Sequence, residues 1–322
     1  MTQRVVILGT GGTIAGTAAT ATDNVGYTAA QLGVQALVDA VPPLAGVPLE
    51  CEQVAQINSK DMTHAVWQQL AQRVAHHLAR NDVTGLVVTH GTDTLEETAY
   101  FLHRVLSPAK PVVLTAAMRP ATALQADGPQ NLLDAVTVAL APEAKGVVVA
   151  IAGAVHGALD VVKRHSYRLD AFDSSDAGPI ALVREGQVQP LREWPCGPAL
   201  GLDRVASDVT RWPAVEIVSS YAGASGLAVD AIVAQGVRGI VVAGTGNGSV
   251  HAAMEAALGD AQTGGVKVLR ASRCAGGVVG DDPSVLPSAG ALTPGKARVE
   301  LLLQLLAADG ISTPSPASGR GS

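Results

Sequence analysis

The sequence predicts an α/β protein of two domains, the larger one N-terminal and built on a doubly wound parallel sheet. Three observations lead there. Short, nearly continuous apolar runs recur along the chain, as expected of parallel strands covered on both faces. Most end at a glycine or a threonine. Longer stretches at helical spacing lie between them, which is the rhythm of βαβ units.

In order, residues 5–8, 86–89, 112–115 and 147–151 read as strands, and 29–41, 62–80, 95–105 and 131–140 as helices. The rhythm breaks between Glu193 and Pro213, where Trp194-Pro195-Cys196-Gly197-Pro198 opens a linker and Arg211-Trp212-Pro213 closes it. It then resumes with strands at 215–218, 239–243 and 266–271 and helices at 227–235, 251–258 and 294–308. The expected division is therefore 1–192 for the catalytic α/β domain, 193–213 for the linker, 214–310 for a smaller α/β domain and 311–322 for a disordered Ser/Pro/Gly tail.

Composition narrows the function. With 322 residues, 48% of them hydrophobic, the chain has enough apolar mass for about two cores. Acidic residues outnumber basic ones, 28 to 22, with no basic run, so no nucleic-acid partner is expected. No apolar stretch is long enough to span a bilayer, and the short run after Arg4 is too brief for a secretory core. Three scattered cysteines fit a reducing compartment, so a cytoplasmic location is expected. The histidines are dispersed apart from His76-His77, read as surface residues, and no spacing suits a metal. No metal or cofactor is expected, and the partner should be a small molecule.

Two glycine-bearing strand ends stand out. Gly9-Thr10-Gly11-Gly12-Thr13-Ile14-Ala15-Gly16 follows the first strand. A dinucleotide fingerprint needs a small residue where Ile14 stands, and a phosphate loop needs a lysine where Thr17 stands, so both phosphate readings fail. What remains is a turn that admits a close ligand and presents the Thr13 hydroxyl, or simply a tight turn. The second, Thr89-His90-Gly91-Thr92-Asp93-Thr94-Leu95-Glu96-Glu97, repeats the plan. Thr94 and Glu97 have capping-box spacing, which alone would account for Asp93 and Thr94 but not for Thr92.

A threonine nucleophile needs a base. Lys163, one of six lysines, lies among apolar residues beside Arg164; burial or a cationic neighbour would make it a base, and full solvation would make it an ordinary surface lysine. Ser59 and Asp61 precede a helix, where a carboxylate is well received, although Asp61 also suits a helix cap. Arg119, after Ala117-Met118, is read as structural or ligand-binding, and Gly244-Thr245-Gly246-Asn247-Gly248-Ser249 is the matching strand-end loop of the smaller domain.

Together these motifs resemble the bacterial L-asparaginase and asparaginase-glutaminase family. Thr10-Gly11-Gly12-Thr13-Ile14-Ala15 and His90-Gly91-Thr92-Asp93-Thr94-Leu95-Glu96-Glu97 are the specific ones, supported by Ala117-Met118-Arg119-Pro120, Ala126-Asp127-Gly128-Pro129 and Pro294-Gly295-Lys296-Ala297-Arg298. The resemblance implies the family's two-domain fold, with a flavodoxin-like N-terminal domain, and an amidohydrolase that converts L-asparagine to L-aspartate and ammonia. It implies Thr13 as acylated nucleophile on a lid, assisted by Tyr27, and a Thr92–Lys163–Asp93 relay. It implies amino-acid contacts from Gly12, Ser59, Lys60, Gly91, Thr92, Asp93, Ala117 and Ser249, no cofactor, and a dimer of dimers with sites completed between subunits. Lys60 and Ser249 depart from residues common in the family, and no clear counterpart exists for its intersubunit glutamate, with Asp281 or Asp282 as substitutes. A glutaminase, or an amino-acid sensor without turnover, remains the alternative. The lid, residues 15–25, has little apolar bulk to anchor it and is expected to open and close.

Overall fold

The structure is a computed structural model that describes residues 3–281 and 286–309. The tail from residue 311 and the residue Asp282 lie outside the described residues. The first half of the chain builds one eight-stranded sheet. Its parallel part comprises β1 (Arg4–Gly11), β2 (Leu49–Ile57), β3 (Val83–Thr89), β4 (Pro111–Thr115) and β5 (Gly146–Ile151), in the order β2-β1-β3-β4-β5. Val5 to Leu8 and Leu86 to Val88 are fully buried, which explains their continuous apolar character.

The helices α1 (Val34–Asp39), α2 (His64–Leu78), α3 (Leu95–Leu106) and α4 (Gly128–Leu140) cover the two faces. Side chains of α1 and α4 join Val5, Ile7 and Val87 in one core, and those of α2 and α3 join Val6, Leu8 and Val88 in another. The helix expected over 29–41 keeps only its second half. Ala30 adopts a left-handed φ of 57° and residues 30–32 donate their N–H groups to Gly12 and Ala15, so this segment belongs to the β1 loop instead.

Six strands escape the apolar-run criterion. β2 carries Glu50 and Glu52 and lies at the sheet edge, so it shows no continuous apolar run. On the other edge β6 (Ala154–Gly157), followed later by β9 (Ala181–Arg184) and β10 (Gln187–Pro190), runs antiparallel. Two hairpins make this possible. Ala152-Gly153 and Glu185-Gly186 both have positive φ at each central position, the geometry of a type I′ turn. Between them β7 (Val162–Lys163) and β8 (Phe172–Asp173) form a separate antiparallel pair.

The smaller sheet is β11 (Val215–Ser219), β12 (Gly239–Gly244) and β13 (Lys267–Ser272), all parallel, with α5 (Leu227–Ala234), α6 (Ala252–Thr263) and α7 (Pro294–Asp309) around it. The stretch between the two sheets is packed rather than loose. Trp194, Val205 and Trp212 are buried, and Trp212 sits 5.0 Å from the His64 ring and 6.4 Å from Phe101. α7 lies between β12 and α3, so Leu302, Val241, Phe101 and Val88 belong to one apolar cluster. His77 corrects the surface reading. It is 2% exposed and held by Glu52 at 2.7 Å and by Arg80.

Because α7 links the two sheets through a common core, Leu302→Ala should cost about 2–5 kcal/mol, and unfolding should remain a single event. Urea melts followed by tryptophan fluorescence and far-UV circular dichroism check this. Two separated transitions would show that the sheets melt independently.

Candidate active site

Ligands of open α/β sheets gather beyond the carboxyl ends of the strands, where the strand order reverses. Here that point lies between β1 and β3, because α1 follows β1 on one face and α3 follows β3 on the other. The three strand-end loops meet there with almost no side chain between them. A Cβ on Gly12 would lie 2.3 Å from the Gly91 Cα, and a Cβ on Gly91 would lie 2.4 Å from the Ser59 Oγ. Gly12 also has φ +83°, where an L side chain is strained. These glycines allow backbone to touch backbone, and this brings Thr13, Thr92 and Ser59 together.

Thr13 opens a short 3-10 turn, and its hydroxyl meets the Tyr27 hydroxyl at 2.6 Å. The segment that carries Tyr27 is tied at both its base and its tip. Thr17 and Thr28 exchange backbone hydrogen bonds, and the lid's outer part docks on the loop after β4 through Ala121 N to Gly16 O, Leu124 N to Ala21 O and Ala18 N to the Thr122 hydroxyl. These ties are more numerous than its composition suggests.

On the other side, the Lys163 ammonium donates to Thr92 Oγ1 at 2.9 Å and to Asp93 Oδ1 at 2.8 Å. Lys163 is therefore not the fully solvated surface lysine of the alternative reading. Its side chain is 19% exposed, whereas that of Asp93 is 50% exposed and still offers its second oxygen. Arg164, a neighbour in β-alternation, turns away to Ser175 and Asp173, so it is not the cationic neighbour anticipated for Lys163.

The Thr92 loop is braced from below. Thr98 accepts the Trp67 indole N–H at 2.9 Å and so donates its own proton to His90 Nε2 at 3.0 Å, leaving His90 Nδ1–H to donate to the Gly91 carbonyl at 2.7 Å. That carbonyl is thus held inward. In a trans peptide the following N–H points the opposite way, which turns the Thr92 N–H outward. Among the described residues it has no hydrogen-bond partner. Burial pushes the His90 imidazole down to about 4, consistent with a neutral ring in this relay.

Two helix-cap readings are corrected. Thr94 does not form the box with Glu97; its hydroxyl donates to the Ser59 carbonyl at 2.8 Å, while Ser59 Oγ accepts the Asp93 N–H at 3.1 Å. Thr63, not Asp61, caps α2. Asp61 instead pairs with Lys60 at 2.8 Å in an exposed position, which occupies the ammonium that was expected to contact an amino acid. Ala117 is buried just past β4, in the same row of strand ends. Arg119 is structural, stacked 4.1 Å over the Tyr167 ring and bound to its carbonyl.

Ser249 is not brought to this crevice within one chain. It is exposed beyond β12, bridged to Thr245, and lines a surface groove with Asn247, Arg270 and Asp281. Sequence reasoning missed Glu96 and Thr293. Glu96 accepts the Lys163 backbone N–H at 2.7 Å and the Thr293 hydroxyl at 3.1 Å. Neither residue stands in a pattern that separates it from ordinary helix-start polarity. Among the described residues no group of three or more His, Cys, Asp or Glu side chains is arranged to hold a metal.

Two hydroxyls, an amine and a carboxylate gather over a small crevice at the switch point, an arrangement whose chemistry suits hydrolysis of an amide. The comparisons agree. Residues 4–195 match the family model "Asparaginase, N-terminal" and residues 214–313 the model "Glutaminase/Asparaginase C-terminal domain". The L-asparaginase 2 of Bacillus subtilis is 39% identical over 93% of this chain and 81% of its own length. The glutaminase-asparaginase of Pseudomonas fluorescens is also 39% identical, over 94% of this chain and 86% of its own. A crystal structure of a probable cytoplasmic L-asparaginase from Campylobacter jejuni superposes with a TM-score of 0.89 at 40% identity, covering 94% of this chain and 95% of that one. The chain belongs to the asparaginase family, and its activity is that of an L-asparaginase hydrolase.

The buried rings carry a pH signature. His64, His90 and His156 are each pushed by burial down to about 4, below their value near 6.5 when unfolded. The unfolded state therefore binds more protons between these values. This contribution to stability is complete above about pH 6.5 and is lost as pH falls through about 4. The urea midpoint should drop across that window, and NMR should show the three rings untitrated at pH 5.5.

Proposed function

We propose that the chain hydrolyses the side-chain amide of L-asparagine through an acyl-enzyme on Thr13. The observation that carries this reading is the Lys163 amine bridging Thr92 and Asp93 beside the Gly12–Gly91 contact. The Thr13 oxygen attacks the amide carbon while its proton passes by way of the Tyr27 hydroxyl to the leaving nitrogen. The C–N bond breaks, ammonia departs and a β-acyl-threonine remains. Water, deprotonated through Thr92 and Lys163, then attacks the ester, and the Thr13 oxygen leaves with a proton. The outward Thr92 N–H is the donor for the oxyanion in both steps, a contribution usually large in acyl transfer.

The substrate head is held by charge. The free oxygen of Asp93 faces an α-ammonium, and Ser59 with the neighbouring loop N–H groups suits an α-carboxylate. Fixing both ends of a zwitterion leaves the amide over Thr13. Ser249 lies away from this crevice, and we infer that it serves the site of a second copy in a dimer of dimers. The three free cysteines, two of them exposed, favour a reducing cytoplasm.

Glutamine hydrolysis is the second reading, favoured by relatives named glutaminase-asparaginase at the same identity. Ammonia release from each amide at equal low concentration separates them, and a larger kcat/KM for glutamine overturns the asparagine assignment. Thr13→Ala and Thr92→Ala should each lower kcat about 10³-fold or more. Tyr27→Phe, which keeps the ring that closes the lid, should lower it about 10²-fold. A protein that binds asparagine but releases no ammonia would instead be a sensor.

A further inference from the structure

Lys296 enters the first turn of α7 on the same helical register as Val299 and Leu303, a position that elsewhere on this helix is apolar. It is 1% exposed. Its ammonium donates to the carbonyls of Leu159 at 2.8 Å and Val161 at 2.6 Å, and among the described residues no carboxylate forms an ion pair with it. Asp160 pairs with Arg192, and Glu96 points to Lys163 N–H and the Thr293 hydroxyl. Burial pushes the ammonium down to about 8.

A buried ammonium satisfied by carbonyls alone is a poor stability device, since its desolvation is costly and an apolar side chain of similar length would fill the space. Its geometry has a more specific consequence. The carbonyls of residues 159 and 161 and the N–H of residue 163 are all held from outside, the first two by Lys296 and the third by Glu96, which Thr293 in turn ties to α7. The short segment that ends in Lys163 is thus tied at three backbone atoms beside the Thr92 loop.

We propose that Lys296, with Thr293 acting through Glu96, is a positioning residue that sets the Lys163 amine at hydrogen-bond distance from Thr92, so that a helix of the smaller sheet controls the relay of the larger one. This rests on the amidohydrolase reading. Lys296 touches no reacting atom, and its effect must pass through Lys163. Misplacing a reacting group by about 1 Å can cost on the order of 10²-fold in rate, which sets the scale.

The test uses Lys296→Met, which keeps the methylene stem and removes the donor, and Thr293→Val, a milder change that decides the matter on the same readings if the first variant does not fold. Lys296→Met should lower kcat on asparagine by about 10–100-fold with KM within about threefold, and Thr293→Val by about 3–10-fold. In a Lys163→Met background either change should cost nothing more, because the residue it positions is gone. Independently of turnover, acetylation of Lys163 by acetic anhydride in the substrate-free protein, measured by peptide mass spectrometry against exposed Lys267, should change by about threefold or more. An unchanged kcat, an equal fold-loss in both backgrounds, or unaltered Lys163 acetylation overturns the proposal. If the unmodified protein released ammonia from neither amide, the functional reading would fall while the acetylation result still judged the positioning.

Discussion

The site depends on the approach of two backbones. Gly12 and Gly91 meet where β1 and β3 end, with Ser59 against the second of them, and any Cβ at either glycine would push the loops apart. The parallel pairing of β1 with β3 brings the loops to the same height, and the absence of side chains lets them close the remaining gap. Thr13 and Thr92, far apart in sequence, then share one crevice. The hydrogen bonds around them hold an arrangement that the glycines make sterically possible.

The second constraint comes from outside the sheet. Lys163 sits on a two-residue strand that is not part of the main sheet, and such a strand cannot hold a side chain to hydrogen-bond tolerance alone. Glu96 on α3 and Lys296 on α7 supply the missing restraint. The shared core of α3 and α7 is what makes these anchors rigid. The smaller sheet is thus tied to the relay within each chain, whatever its loops contribute to a second copy.

Much of the fold was legible because its signals are local. The parallel strands are continuous apolar runs, and the helices on them have the expected spacing. β2 was not, since an edge strand whose glutamates face Arg73 and Arg80 has no apolar run to show. The antiparallel edge was also hidden. Its two hairpins turn on Ala152-Gly153 and Glu185-Gly186, weaker signals than asparagine-glycine. At the site, Thr13, Thr92, Ser59 and Lys163 were singled out from their positions next to strand ends or among apolar residues, and the structure gathers them. Glu96 and Thr293 were not, because their role exists only once residue 163 is folded against α3. The cap readings failed for two reasons: Thr94 had a locally plausible partner and a tertiary one won, whereas α2 starts later than expected, so Thr63 caps it and Asp61 pairs with its neighbour Lys60.

Asp93 joins binding to chemistry. One carboxylate oxygen holds the Lys163 amine and the other is open to solvent. In the proposed reaction a substrate ammonium arriving at the open oxygen adds a second cation to the same carboxylate. The carboxylate that receives the substrate head is thus the one that orients Lys163 toward Thr92. An amide without an α-ammonium would leave the open oxygen of Asp93 unpaired, so in the proposed reaction one carboxylate serves both the fit of the crevice and the placement of Lys163.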